Sequence, residues 1–241
     1  MNTERLHYIF KFPRTRHLFD AGSNSVSRDD LVLSKKECEA FLKNQKLIIE
    51  EKVDGANIGI SIRKDLSIAI QNRSHYVFSN THKQFNVIDS WIDKHSKILH
   101  SILEPERHIL FGEWLYAKHS IHYKYLSDYF MAFDIYDQIN KVFLSVEERN
   151  NLLENTEIPH VRKIAEGINF DTVKIMDMLD TKSSYYDGYV EGLVIRKPIE
   201  ERMLEKDYFT NRVKVVRPDF MQAIEEQWTK QKFTKNQLSY Y

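Results

Sequence analysis

The sequence has 241 residues, of which 42% are hydrophobic and 29% charged, a composition that excludes a disordered or fibrous chain. Its 35 basic and 35 acidic side chains give a formal net charge of +0, so only local clusters could attract phosphates. Cys38 is the only cysteine, which excludes an internal disulfide and a cysteine-based zinc site.

Short apolar runs predict a series of strands. In chain order they are Leu47–Val53, Ile58–Ile62, Ile68–Ile70, His108–Glu113, Tyr129–Ile135, Val142–Leu144, Gly192–Ile195 and Val213–Val216. The first two are separated only by Asp54–Asn57, which suggests a hairpin-like connection. Strands in close succession with irregularly interspersed helices favour an α+β fold built mainly from antiparallel sheets.

Helical patterns occur in the second half of the chain. Ser145 and Glu148 form a capping box that begins a helix through Leu153. Amphipathic spacing predicts two more helices, over Phe170–Leu179 and Phe220–Trp228.

The scarcity of glycine, proline and linker-like sequence indicates how the chain is organised into domains. With only 7 glycines and 5 prolines and no low-complexity linker, we expect a single domain over 1–241, with 1–46 as its N-terminal extension and 221–241 as a helix or tail. No separate C-terminal domain is expected. The stretch 1–10 lacks the apolar core of a signal peptide, and no run is long enough to span a membrane, which predicts a cytoplasmic protein.

The segment Glu50-Glu51-Lys52-Val53-Asp54-Gly55 ends an apolar run. Strand alternation places Lys52 and Asp54 on one face, and Gly55 lets the backbone approach a ligand closely. The pattern indicates a lysine nucleophile at a tight turn. A surface turn with a solvated charge pair is the alternative, and for so short a motif it is the more frequent one.

Four further motifs favour the lysine nucleophile over the surface turn. In chain order they are Phe111-Gly112-Glu113-Trp114, Phe133-Asp134 within an aromatic strand, Glu191-Gly192-Leu193-Val194, and Arg212-Val213-Lys214. With Lys-x-Asp-Gly at the front, this ordered set resembles that of the covalent nucleotidyltransferases, which comprise RNA ligases, DNA ligases and mRNA capping enzymes.

The closer resemblance is to RNA ligases of the phage RNA ligase 2 type, from about Lys11 to Phe220. It includes Phe12–Leu18, the stretch Gly112–Ile121, and three single residues at family positions: Asn57, Arg73 and Phe133. The fold that the resemblance implies is a nucleotidyltransferase (adenylyltransferase) domain.

The resemblance also implies a three-step reaction. Lys52 attacks the α-phosphate of ATP and becomes a lysyl-AMP, AMP moves to the 5′-phosphate of an RNA strand, and a 3′-hydroxyl then displaces AMP. ATP and Mg²⁺ (or Mn²⁺) are the implied cofactors, and RNA with 5′-phosphate and 3′-hydroxyl ends is the implied partner. An additional RNA-binding domain or partner protein could supply further RNA contacts.

Residue roles follow from the same resemblance. The implied catalytic residues are Lys52, Asp54, Glu113, Glu191 and Lys214. The implied nucleotide-site residues are Glu51, Lys52, Asn57, Arg73, Glu113, Phe133, Glu191, Arg212 and Lys214. The implied metal-binding residues, acting directly or through water, are Asp54, Glu113 and Glu191.

Several of these roles have alternatives. Phe133 would stack on adenine, although an aromatic side chain in a strand is more often core. Arg73 would meet the 5′-phosphate of RNA, or is a surface arginine. Arg212 stands where the family has a lysine, so phosphate binding is expected more firmly for Lys214. Because lysine attacks only as the neutral amine, we expect Lys214, Arg212 and a metal to favour neutral Lys52.

Two other functions are compatible with the motifs. One is an mRNA capping-type guanylyltransferase, which would use GTP, and the other is a non-catalytic RNA-end-binding protein on a ligase scaffold. His119 and His122 are expected to be structural or RNA-contacting rather than metal ligands. Lys230, Lys232 and Lys235 are expected to form an exposed basic end.

Overall fold

The computed structural model describes residues 9–22, 26, 30–199, 202–218 and 233–239. In chain order the strands are β1 (Arg16–His17), β2 (Leu47–Lys52), β3 (Ala56–Ile62), β4 (Ile68–Gln71), β5 (His108–Trp114), β6 (Phe130–Asp137), β7 (Val142–Phe143), β8 (Lys163–Gly167), β9 (Gly192–Arg196), β10 (Met203–Leu204) and β11 (Arg212–Val216). The helices are α1 (Lys35–Leu42), α2 (Ile88–Ile102), α3 (Val146–Leu153), α4 (Thr172–Met178) and α5 (Tyr208–Asn211), with short 3₁₀ turns at Lys83–Phe85 and Glu205–Asp207.

The strands form two sheets. One has the order β1-β11-β9-β2-β8 and the other the order β10-β7-β6-β5-β3-β4. All pairings between named strands are antiparallel except β1 with β11. The predicted α+β fold with mainly antiparallel sheets is therefore confirmed. Every predicted strand is present, with ends shifted by one or two residues.

The prediction of a hairpin at Asp54–Asn57 is wrong. Strands β2 and β3 do not pair, because they belong to different sheets, and residues 53–55 carry the chain across from one sheet to the other. Gly55 is required there: a Cβ at this position would lie 2.5 Å from the carbonyl oxygen of Trp114. Lys52, at the end of β2, therefore lies at the junction of the two sheets.

Alternation along β2, β9 and β11 separates an apolar face from a charged face. Leu47, Ile49, Leu193, Ile195 and Val213 are fully buried in one core cluster, which α1 and α4 cover. The intervening residues of the same strands point to the opposite face, toward the other sheet. Burial of the apolar face thus determines which charged side chains enter the space between the sheets.

A second core lies under the six-stranded sheet, where α2, the longest of the described helices, packs Trp91 and Leu99 against strand residues such as Ile60 and Leu110. The capping box of Ser145 and Glu148 at α3 is confirmed. The helix predicted over Phe170–Leu179 is present as α4, where the Asp171 side chain caps the N-terminus. The helix predicted over Phe220–Trp228 lies outside the described residues. Among those described, no helix combines the length and apolar character needed to span a membrane.

Candidate active site

A cavity of about 440 Å³ lies between the two sheets. Strands of both sheets contribute to its wall, as does the crossing segment after Lys52. The lining residues are Phe12, Thr15, Glu50, Glu51, Lys52, Val53, Asp54, Gly55, Asn57, Arg73, Glu113, Phe133, Asp134, Val161, Val194, Arg196, Tyr208, Arg212 and Lys214. Among the predicted site residues, only Glu191 is not part of this lining, and it contacts Lys52 directly.

Lys52 and Glu191 form a close ion pair. The Lys52 Nζ atom donates to both carboxylate oxygens of Glu191, at 2.6 and 2.8 Å. The register explains the contact, because Lys52 of β2 is paired with Gly192 of β9, next to Glu191. Gly192 has no room for a side chain: a Cβ would lie 2.3 Å from the carbonyl oxygen of Val215 on β11. The glutamate–glycine motif thus places an acid beside the lysine.

Asp54 and Glu113 face the same lysine from the crossing segment and from β5. One oxygen of Asp54, Oδ2, accepts a hydrogen bond from the Ser120 backbone N–H at 2.8 Å and another from the Ser120 hydroxyl. The Glu113 carboxylate accepts from the Gly55 backbone N–H at 3.1 Å. Asp54 lies beyond the end of β2, so strand alternation does not place it, but its charge acts on Lys52 from the crossing segment.

The charges around Lys52 are predominantly negative. Burial lowers the pKa of Lys52, but the carboxylates of Glu191, Asp54 and Glu113 outweigh this effect and hold the pKa above its usual value. Burial raises the pKa of Glu113 to about 8, helped by the charges of Asp54 and Glu191. The protein's own charges thus favour the protonated form of Lys52, because three acids surround this amine. The expectation that Lys214, Arg212 and a metal together favour neutral Lys52 stays a prediction.

Lys214 is a second lysine in the cavity lining, close enough for the charge of Lys52 to act on it. Burial and the charge of Lys52 lower the pKa of Lys214. Its Nζ atom lies 3.4 Å from Asp30 Oδ1, and its side chain remains 22% exposed. Lys214 therefore keeps an accessible ammonium in the cavity, as phosphate binding would require.

Arg212 differs from Lys214 although both lie on one face of β11, as predicted. The Arg212 side chain is only 2% exposed and forms an ion pair with Asp134. Its guanidinium also stacks over the ring of Tyr208, 4.3 Å from the ring centroid. Arg212 lines the cavity and pairs with Asp134 through Nη1, whereas its Nε and Nη2 atoms have no hydrogen-bond partner among the described residues.

Arg212 belongs to a buried ionic cluster that the sequence analysis missed. Arg149 donates to Glu50 at 2.7 Å, and Arg196 contacts Glu50 at 2.8 Å and Asp134 at 3.0 Å. Burial would raise the pKa values of Glu50 and Asp134, but the arginines beside them hold both below their usual range. We call these four residues, together with Arg212, the floor cluster. The acids Glu50 and Asp134, each within a predicted strand, were the signals that could have revealed it.

The apolar part of the cavity is formed around Phe133. Its ring lies 5.2 Å from that of Phe12, which in turn is 5.5 Å from Tyr208. A β-bulge is the reason that Phe133 and its neighbour Asp134 both line the cavity: opposite Phe111–Gly112 of β5, strand β6 has one extra residue. The predicted aromatic surface is in the cavity, and Phe12 and Tyr208 extend it.

The remaining predicted nucleotide-site residues lie at the edge of this arrangement. Asn57 is opposite Glu113 in the β3–β5 pairing, and the exposed Arg73 follows β4. The Glu51 carboxylate accepts from the Ser183 hydroxyl at 2.6 Å and lies 3.1 Å from Arg162 Nε. The side chain of Glu51 is therefore already engaged, on the face of β2 opposite Lys52.

Within the described ranges, no group of three or more His, Cys, Asp or Glu side chains has the arrangement of a metal site. His119 Nε2 lies 3.1 Å from Gln84 Oε1, and His122 Nε2 lies 3.1 Å from the carbonyl oxygen of Lys235. Both histidines thus have structural partners. Direct metal coordination by Asp54, Glu113 and Glu191 stays a prediction.

The fold is that of known RNA ligases. The chain superimposes on Naegleria gruberi RNA ligase with PPi (TM-score 0.58, 20% identity, 89% of this chain and 62% of that one). It also superimposes on a mutant of the same ligase with ATP and Mn (TM-score 0.55, 18% identity, again 89% and 62%). An archaeal ATP-dependent RNA ligase matches as well (TM-score 0.52, 20% identity, 86% and 48%). The chain thus spans between about half and two thirds of the length of these proteins.

The sequence identifies the family. The model of the RNA ligase family matches residues 45–216, most of the chain, so the protein belongs to the RNA ligase family. This range begins just before β2 and ends with β11, and therefore contains all five motifs. No curated protein matches the sequence significantly.

Proposed function

We propose that this protein is an ATP-dependent RNA ligase that joins RNA 3′-hydroxyl and 5′-phosphate ends through a lysyl-AMP on Lys52 and an adenylylated RNA 5′ end. The observation that carries the proposal is the position of Lys52. It is a lysine at a sheet junction, and it lines a cavity whose wall also contains aromatic side chains and Lys214.

In the first step, the Nζ atom of Lys52 forms a bond to the α-phosphorus of ATP. The bond from that phosphorus to the bridging oxygen breaks, and pyrophosphate leaves. Lys52 must lose a proton before it attacks. Glu191 is the group best placed to receive this proton, because its carboxylate already accepts two hydrogen bonds from the ammonium. Lys214 would balance the negative charge that develops on the α-phosphate.

The negative charge of the acidic residues would attract a divalent cation that arrives with the nucleotide. Three carboxylates surround Lys52, and the pKa of Glu113 is raised to about 8, so a cation would relieve their mutual repulsion. Asp54, Glu113 and Glu191 would hold Mg²⁺ or Mn²⁺, at least partly through water. Such an ion supplies positive charge that screens the phosphates and favours the neutral form of Lys52.

Two later steps would use the same cavity. The RNA 5′-phosphate displaces Lys52 from AMP, and the RNA 3′-hydroxyl then displaces AMP from that phosphate. Arg73 lies on the exposed rim, where an RNA end would enter. Solved RNA ligases with ATP, PPi and Mn support the nucleotide and metal assignments. The proposal includes a further RNA-binding domain or partner protein that supplies additional contacts to the RNA.

The test is label transfer from α-labelled ATP in the presence of magnesium, with GTP in parallel and the protein resolved on a denaturing gel. We expect label from ATP on the wild type and on Lys64→Ala, an exposed control, but none on Lys52→Ala. Labelling from GTP alone would indicate a guanylyltransferase. No label from either nucleotide on folded protein would contradict the proposal and favour an RNA-end-binding protein. Sealing is tested by adding RNA with a 5′-phosphate.

A further inference from the structure

The segment 233–239 packs against a loop of the active site. Its backbone forms bridges with that loop at two points, Lys235 with Ala117 and Leu238 with Leu126. Leu238 also contacts the core cluster that contains Val53. Of the basic end expected at Lys230, Lys232 and Lys235, the first two lysines lie outside the described residues. Lys235 is exposed, as expected, but its segment is docked.

Asn236 is the centre of this docking, because its side chain is completely buried. Its Oδ1 atom accepts from the Tyr123 backbone N–H at 2.9 Å. Its Nδ2 group donates to the backbone carbonyl oxygens of Leu115 and Ala117, at 2.7 and 3.2 Å. Both amide hydrogens and the amide oxygen are therefore used to hold the loop 115–126 at three points.

The same loop holds Asp54. Ser120 donates two hydrogen bonds to the Asp54 carboxylate, and the Tyr123 hydroxyl accepts from the Asp54 backbone N–H at 2.9 Å. Asp54 lies after the last residue of β2, so no strand ladder constrains it. Its position next to Lys52 therefore depends on Ser120 and Tyr123, and through them on Asn236.

We propose that Asn236 is a positioning residue for the nucleotidyl-transfer site: it holds the loop 115–126 in the conformation that places the Asp54 carboxylate beside Lys52. The catalytic part of this inference rests on the proposed function, whereas its structural part does not. Asn236 touches neither Lys52 nor the cavity lining and acts through the loop.

The structural test measures hydrogen exchange of backbone amides in the full chain. The amides of Asp54 and Ser120 donate the hydrogen bonds that fix Asp54. We expect Asn236→Ala to exchange at both amides about tenfold faster than wild type, since the loop loses three hydrogen bonds. Gln237→Ala is the matched control: an exposed neighbouring amide whose backbone bonds remain. Equal exchange in the two variants would overturn the proposal.

The catalytic test measures lysyl-AMP formation at varied ATP concentration. We expect Asn236→Ala to lower the maximal rate about tenfold with an ATP KM within about twofold of wild type, because the aromatic wall is untouched. Gln237→Ala should match wild type in both. A change in KM alone, or no change, would overturn the positioning role. If the wild type takes no label, the proposed function fails, and the exchange test still decides the structural inference.

Tyr123→Phe keeps the test informative if Asn236→Ala does not fold. It removes only the hydroxyl that accepts from Asp54, so the same loss of rate without a KM change is expected, and an unaltered rate would contradict the proposal. Where both single variants fold, the double variant should lose less than the product of their effects, because both act on one connection. Full additivity would show that Asn236 does not act through Tyr123.

Discussion

The floor cluster and the group around Lys52 are built from the same strands but differ in charge balance. Strand β2 supplies Glu50 to the first and Lys52 to the second, and β11 supplies Arg212 and Lys214 in the same way. In the floor cluster three arginines neutralise two buried acids, whose pKa values are lowered. Around Lys52 three acids face the lysine, and the pKa of Glu113 is raised to about 8.

The difference in charge balance distinguishes a cluster that supports the fold from a group suited to bind a charged ligand. A buried acid with paired arginines is satisfied within the protein and stabilises the fold only as long as all partners remain. An unbalanced acidic group beside an accessible lysine leaves electrostatic repulsion that a bound cation can relieve. Side chains two residues apart on one strand, such as Glu50 and Lys52, thus belong to groups with different roles. Substitutions in the two groups should therefore have different effects on stability and on activity.

The largest effect is expected from breaking the floor cluster. Arg196 contacts both Glu50 and Asp134, so Arg196→Met should lower the free energy of unfolding by about 3–5 kcal/mol. Lys163→Met, which removes a surface pair with Glu166, should cost at most about 1 kcal/mol. Urea denaturation measures both. Similar losses in the two variants would contradict the assignment of the floor cluster to stability.

Arg73 should separate the steps of the reaction. We expect Arg73→Ala to leave lysyl-AMP formation unchanged and to slow AMP transfer to RNA at least about tenfold. A rate loss of this size corresponds to the free energy of one hydrogen bond to a charged phosphate. Arg63→Ala is the control, because Arg63 stacks on Tyr76 and does not line the cavity. Equal loss of both steps in Arg73→Ala would place this residue at ATP instead.

Phe133 tests the aromatic wall between the two charged groups. Phe133→Leu should weaken ATP binding about fivefold, since a stacking face is worth about 1 kcal/mol beyond its buried area. Equilibrium binding would be measured in a Lys52→Ala background, where no covalent product forms. Phe78→Leu, at an exposed phenylalanine, should bind ATP as the parent does. Unchanged affinity in Phe133→Leu would show that the ring is only core.

The smallest effect concerns pH. The folded pKa of Glu113, about 8, lies above its ordinary value of 4.5, so the folded state binds this proton more tightly than the unfolded state. The resulting stability is fully present below about pH 4.5 and is lost as pH rises through about 8. The unfolding temperature of Glu113→Gln, measured without ligands, should therefore fall less steeply with pH over this range than that of the wild type. Glu39→Gln, at an exposed position, should retain the wild-type slope.

Most of the strands and the motifs could be read from the sequence because both are local, whereas β1, β8 and β10 were not predicted. Apolar runs mark β2, β5, β6, β9 and β11, and the five motifs lie at their ends or within them. Helices were harder to find. The longest of the described helices, α2, begins at Ile88, and its N-cap residue Val87 makes no side-chain capping bond, so no residue signals its start. Helix α1 does have a capping box, Ser34 with Glu37, a signal that the sequence analysis overlooked.

From the sequence by itself we predict which residues carry the chemistry: Lys52, its acidic neighbours and Lys214, in motif order. Only the tertiary structure decided that β2 and β3 enter different sheets, that Arg212 is paired within the floor cluster, and that Asn236 supports Asp54. The physical reason is range. Strand alternation and turn chemistry act over a few residues, whereas partners such as Arg212 and Asp134 are 78 residues apart and meet only when two sheets pack together.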